Sequence, residues 1–308
     1  MKASIEVEKL GVYKGHKDSI YALEQGMSSS TFFTSGADGM VVLWDMAQPD
    51  EGKLVAKLTN SVYALNFIPE TNELIIGHNF EGIHVIDTRT NTETKSAQIT
   101  KSAIFNIKNY EDRIFVATGD GYLIVLQASD LSILTKLKIT DSSIRVITVH
   151  PTKNQLILGS SDHLVRILDL ISLQLIQTLK GHTNSVFAAT LSPDGKVLVT
   201  GGRDAKLMVW DMDTYAQLHV IPAHMYAIND ISFIESGKYF VTASMDKAVK
   251  VWDATKFKLL KVIDKSRHAG HGTSVNKVLW TTYQHAIISV SDDRTISIWN
   301  VDLPYEHI

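Results

Sequence analysis

A repeat of about 42 residues runs through the chain and restricts its fold more than any other feature. Four segments read alike: Val41-Val-Leu-Trp-Asp45, Leu207-Met-Val-Trp-Asp211, Val249-Lys-Val-Trp-Asp253 and Ile296-Ser-Ile-Trp-Asn300. Weaker copies lie between the first two: Ile83-His-Val-Ile-Asp87, Leu123-Ile-Val-Leu-Gln127 and Val165-Arg-Ile-Leu-Asp169. The last residues of the copies are separated by 42, 40, 42, 42, 42 and 47 positions. A second ladder of β-branched residues, Ile20, Val62, Ile104, Ile144, Val186, Ile228 and Val275, steps by 42, 42, 40, 42, 42 and 47. Pro69, Pro151 and Pro193 share one slot, seven residues beyond that anchor. Two ladders on different residues thus agree on the period and on where it slips, which defines seven units.

Each unit reads as strands. In the fifth, Val186–Leu191 is an apolar run closed by Ser192-Pro-Asp-Gly195, and Val197–Thr200 leads into Gly201-Gly202. Leu207–Trp210 precedes the turn Asp211-Met-Asp-Thr214, and the more polar Ala216–Ile221 completes the unit. Four short β-rich runs between turn clusters predict a four-stranded antiparallel sheet per unit. Such a sheet cannot bury both faces alone. Seven stacked around an axis can, so the chain is expected to be all-β, a single seven-bladed propeller. With no Cys, the chain has no disulfide framework, thiol nucleophile or cysteine-ligated metal, and at 308 residues it does not need one to stabilise a core.

The pairs Gly15-His16 … Trp44-Asp45, Gly181-His182 … Trp210-Asp211 and Ala223-His224 … Trp252-Asp253 resemble the WD-repeat family, as does Gly270-His271 … Trp299-Asn300 with one substitution. On this pattern the domain spans 1–308, with units starting near 16, 58, 100, 140, 182, 224 and 271. The segment before Gly15 reads like the fourth strand of a unit, and only eight residues follow Asn300, so residues 1–14 are expected to close the last blade. The resemblance also implies four buried hydrogen-bonded sets: His16–Thr34–Asp38–Trp44, His182–Thr200–Asp204–Trp210, His224–Thr242–Asp246–Trp252 and His271–Ser289–Asp293–Trp299. Units two to four place Leu58, Thr100 and Thr140 in the His slot and Ile86, Leu126 and Leu168 in the Trp slot. They are expected to rely on apolar packing.

A His–hydroxyl–Asp set invites a hydrolase reading, but here it recurs four times and ends on a donor-only indole, which suits a structural network. No Gly-x-Ser-x-Gly elbow, phosphate-binding Gly-x-x-x-x-Gly-Lys loop or Gly-x-Gly-x-x-Gly occurs. His268-Ala-Gly-His271 offers two imidazoles where zinc needs three or four ligands, so His268 reads as a solvated loop residue. Asp211-Met-Asp213 lies where each unit needs a turn. No catalytic residue, metal site or cofactor is therefore expected.

The family resemblance places binding residues on the top face. Five past the His slot stand Tyr21, Tyr63, Phe105, Arg145, Phe187, Asn229 and Asn276; three past it stand the small residues Ser19, Ser61, Ala103, Ser143, Ser185, Ala227 and Ser274. Preceding the turn Asp are Ala37, Gly119, Ser161, Arg203, Met245 and Asp292, with Asn79 the best occupant in unit two. Aromatic and Arg side chains dominate interface energetics, and Arg145 and Arg203 are suited to pairing a carboxylate or phosphate. The expected function is a non-catalytic scaffold that grips a peptide or partner loop on this face, as a monomer or within a larger complex. The alternative is a propeller enzyme with a small-molecule site in the channel, against which the channel slots show no converging acid pair. A net charge of −3 argues against nucleic acid as a partner. The absence of a signal-like or spanning apolar stretch argues for a cytoplasmic location and against a membrane.

Overall fold

A computed structural model describes residues 5–49, 51–234 and 236–303; the parts of the expected domain at residues 1–4 and 304–308 lie outside the described residues. Seven four-stranded antiparallel sheets are present. Their inner strands, from Ile20–Gln25 in blade one to Val275–Thr281 in blade seven, each contact the inner strand of the next blade, and the seventh meets the first. The ring closes as the sequence predicts. Val7–Lys14 pairs antiparallel with Thr295–Val301 and forms the outer strand of blade seven. Among the described residues the first strand therefore bonds the last, which closes the seam of the ring.

Alternation explains where the core lies. Successive residues of a strand point to opposite faces, and both faces of each blade meet a neighbour. Seven apolar clusters result, one in each gap between blades. The gap between blades one and two, for example, holds Phe33, Val41, Val62, Phe67, Leu74 and Ile76. The anchors Ile20, Val62, Ile104, Ile144, Val186, Ile228 and Val275 are all fully buried, at 0% exposure, which accounts for their β-branched identity.

Around the axis the blades are also joined by polar groups. The Asn106 side-chain oxygen accepts from the Ile147 N–H at 3.2 Å, and Thr148 donates to the Ala189 carbonyl at 2.6 Å. Asp230 accepts from the Val278 N–H at 3.1 Å, and Asn276 donates to the Ile20 carbonyl at 2.8 Å, across the join between blades seven and one. The insertion that lengthens the last repeat forms a single helical turn, Lys265–His268, with the Asp264 side chain accepting from the Arg267 N–H at its start. His268 sits half-buried on that turn rather than in a solvated loop.

Candidate binding face at the channel mouth

The top face is the end of the ring that carries the His slots and turn aspartates. In blade one, His16 Nδ1 lies 3.0 Å from Asp38, Nε2 lies 2.8 Å from the Thr34 hydroxyl, and the Trp44 indole donates to that same hydroxyl at 2.8 Å. The proton order follows from the groups. Trp N–H donates to Thr Oγ1, Thr O–H to His Nε2, and His Nδ1–H to the carboxylate. Burial lowers the pKa of His16 despite the opposing pull of Asp38, which suits this neutral tautomer. Blades five and six repeat the arrangement through His182, Asp204, Thr200 and Trp210, and through His224, Asp246, Thr242 and Trp252. Burial alone would raise the Asp246 carboxyl, but hydrogen bonds from His224 and from the Met225 and Ala248 N–H groups overcome it and hold it at about 2.

Two expectations need correction. In blade seven, His271 reaches Asp293 at 3.1 Å and Ser289 at 2.8 Å, but the buried Trp299 indole N–H finds no partner. The set is broken where Ser replaces Thr. Blades two to four are not held by apolar packing alone. Thr140 donates to Asp162 at 2.6 Å, and Arg166 pairs with the same carboxylate at 2.6 Å. Thr118 donates to Asp120 at 2.6 Å, and His78 Nε2 accepts from the Asn60 N–H at 2.9 Å. Each departure from the repeat signature carries a shorter polar substitute, because the turn above it still needs a carboxylate or imidazole acceptor.

The mouth itself is built by a bulge repeated in every blade. The register between the first and second strands slips between Ile20 and Ala22, Val62 and Ala64, Ile104 and Asn106, and Ile144 and Val146. It slips likewise between Val186 and Ala188, Ile228 and Asp230, and Val275 and Lys277. The residues passed over are Tyr21, Tyr63, Phe105, Arg145, Phe187, Asn229 and Asn276. A bulged residue leaves the ladder and its side chain is re-aimed. These side chains consequently meet around the axis. Tyr21 stacks on Tyr63 with centroids 4.6 Å apart, and Tyr63 meets Phe105 at 5.7 Å. The Arg145 guanidinium lies 3.8 Å from the Phe105 centroid and 4.9 Å from that of Phe187. Asn229 donates to the Val275 carbonyl at 2.8 Å, and Asn276 also to Asp292 at 2.7 Å. All seven are half-buried.

A second ring surrounds the first. The residue preceding each turn aspartate donates its N–H to the carbonyl three past the His slot, from Ala37 to Ser19 at 2.8 Å through Asp292 to Ser274 at 3.1 Å. The same bond, Asn79 to Ser61 at 3.3 Å, places Asn79 in this ring, though its side chain is buried. Arg203 and Met245 are exposed. The sequence reading missed Met225 and Tyr226, 83% and 63% exposed beside Met245 at 51%, and Phe80 on blade two at 56%. Their signal was available: large apolar residues directly after a His slot or in the turn, where nothing covers them.

Below the mouth, the channel cavity of about 480 Å³ is lined by Glu24, Lys108, Asp230 and Lys277 among others. The channel thus contains an acid pair that the slot reading did not place there. Asp230 is bound to Lys277 at 3.1 Å. Burial pushes the Glu24 carboxyl up, against the pull of Lys108. Among the described residues, no three His, Asp or Glu side chains are grouped so as to hold a metal ion.

Known proteins show the same architecture. The chain is 36% identical over 103 residues to eukaryotic translation initiation factor 3 subunit I of Bombyx mori, a stretch covering 31% of this chain and 30% of that protein. The match therefore spans less than a third of the relative's length. The crystal structure of the WD40 propeller domain of Doa1 superposes with a TM-score of 0.84 at 17% identity, covering 95% of this chain and 96% of that one, a likeness of fold. The sequence pattern of the WD40 family (WD domain, G-beta repeat) matches residues 7–45, 173–211, 215–253 and 262–300. The matched stretches are the units with a tryptophan in the third strand, and the unmatched interval is where Ile86, Leu126 and Leu168 replace it. With just over half of its length so matched and all seven blades in place, the chain belongs to the WD40-repeat family.

Proposed function

We propose that the protein is a non-catalytic interaction module whose top face grips a peptide or loop of a partner protein. The observation that carries this reading is the aromatic run at the channel mouth, Tyr21–Tyr63–Phe105, continued through Arg145 to Phe187, together with exposed Met225, Tyr226 and Met245 on the same face. Large apolar side chains gathered on one face mark interaction sites more often than single exposed ones. A relative that is by name a subunit of an initiation factor supports a role within a protein assembly. Against catalysis, Asp230 is tied to Lys277 and the Val278 N–H, which suits a structural link between blades. The test is affinity purification from native lysate with the wild type and with Met225→Ser plus Tyr226→Ser, two exposed positions whose replacement leaves the core intact. Loss of a co-purifying protein in the variant, with an unchanged melting temperature, is the expected result. Identical partner recovery by both proteins refutes the assignment of this face.

A further inference from the structure

We propose that Arg145 makes the channel mouth a receptor for a single carboxylate, supplied by an aspartate or glutamate side chain or by a free chain end of the bound peptide; this rests on the top-face reading above. Arg145 is half-buried, and no described residue accepts a hydrogen bond from its guanidinium. The other partly buried arginines are engaged: Arg166 with Asp162 at 2.6 Å, and Arg113 with the Ile171 carbonyl at 3.3 Å. Arg203 and Arg294 are exposed to water. Arg145 alone among the arginines is partly buried without an acceptor. Burial is also the main cause that lowers its pKa, though an arginine remains charged at any physiological pH. A partly desolvated cation without a counter-ion favours an incoming anion.

The surroundings specify which anion. Arg145 lies between the Phe105 and Phe187 rings, contributed by the blades on either side. A guanidinium stacked on rings keeps its N–H groups in its own plane, clear of the ring faces, and that edge matches a carboxylate fork. The other six mouth positions, Tyr21, Tyr63, Phe105, Phe187, Asn229 and Asn276, are uncharged, and Asp292 stands beside Asn276. Arg145, the single cation of the inner ring, balances a monoanion, and a phosphate dianion would be under-compensated and further opposed by Asp292. The flanking rings would cover apolar neighbours of the acidic residue.

The experiment uses full-length protein and pools of N-acetylated octapeptides. One position is fixed as Asp, Asn or phosphoserine with an amidated end, and a further pool has no internal acid but a free carboxyl end. Wild-type protein should retain the Asp pool or the free-end pool at least tenfold over the Asn pool, and Arg145→Met should abolish that preference. Which of the two pools is retained identifies the source of the carboxylate. Should the variant not fold, N-acetyl-aspartate amide and N-acetylglycine, each titrated into the wild type and followed through the Arg145 Nε–H resonance, read the same contact from either source. A shift there supports the proposal and an unmoved resonance overturns it. Preference for phosphoserine over Asp overturns the monoanion. Equal retention of the Asp, Asn and free-end pools, lost in Met225→Ser plus Tyr226→Ser, overturns the carboxylate site and leaves the top-face reading standing. Failure of wild-type protein to retain any pool overturns both.

Discussion

Replacing each signature tryptophan by phenylalanine separates the hydrogen-bond network from the packing around it. Trp44, Trp210 and Trp252 each donate to a threonine hydroxyl, at 2.8, 3.0 and 3.0 Å, whereas the Trp299 N–H is buried without a partner. All four rings are almost fully buried, at 0–3% exposure, so the packing loss is shared. Trimming an indole to a phenyl leaves a cavity of a few tens of Å³, and at about 24 cal/mol per Å³ this costs roughly 1 kcal/mol. At Trp44, Trp210 and Trp252 the lost hydrogen bond adds about 0.5–1.5 kcal/mol. At Trp299 the substitution instead removes an unsatisfied donor whose burial costs about 1–3 kcal/mol, offsetting the cavity. Thermal unfolding followed by far-ultraviolet circular dichroism should therefore show Tm falling by roughly 5 °C for Trp44→Phe and staying level or rising by up to about 5 °C for Trp299→Phe. Circular dichroism is the right probe because each variant removes one of only five tryptophans and so distorts a fluorescence signal. An equal loss at all four positions would refute the idea that the seventh network is interrupted at Ser289.

Two further predictions follow from ring closure and from titration. Removing residues 1–14 strips the outer strand from blade seven, exposes the edge of Thr295–Val301 and uncovers Phe32 and Trp44, against which Tyr13 stacks; the truncated chain should melt well below the full one in calorimetry, and an unchanged Tm would sink the closure argument. Burial lowers His16 and His224 below the ordinary 6.5, so the unfolded chain binds more protons than the folded one as pH falls through that value. Stability is then fully present above about pH 6.5 and declines on acidification, with a second decline below about pH 4 as Asp246, held at about 2, starts to protonate in the unfolded chain first. A Tm series from pH 8 to pH 3 checks the sign, and a Tm that rises on acidification would contradict it.

Most of the architecture was legible in the sequence because a repeat converts one local reading into seven. The anchors Ile20 to Val275 are fully buried, as a β-branched ladder at constant spacing implies. The broken network in blade seven was not legible, because Ser289 and Thr34 read as equivalent hydroxyls and only the placed atoms separate them. The polar substitutes in blades two to four were hidden for a related reason. Asp162 takes Thr140 and Arg166 in place of a histidine, two residues that no single slot pairs. The charged channel was missed because Glu24, Lys108, Asp230 and Lys277 occupy two different slots on four blades, and adjacency around an axis is not adjacency in a repeat.

The bulge explains why the mouth is where the seven units diverge. On one side of each bulged residue stands an anchor that is always Ile or Val and always sealed in a core between blades. On the other side stands a residue back in register with the second strand. The bulged position belongs to neither ladder nor apolar core, so its side chain is matched to its neighbours around the mouth rather than to a slot common to all seven units. Accordingly it holds Tyr, Tyr, Phe, Arg, Phe, Asn and Asn, while the anchor one residue earlier varies by a single methylene group. That the seven side chains nonetheless run in succession, three aromatics, then Arg145 against Phe187, then two asparagines, gives the rim an apolar side, a cationic side and a polar side. A symmetric ring of blades thereby acquires a direction, which a binding face needs if it is to hold a peptide in one orientation.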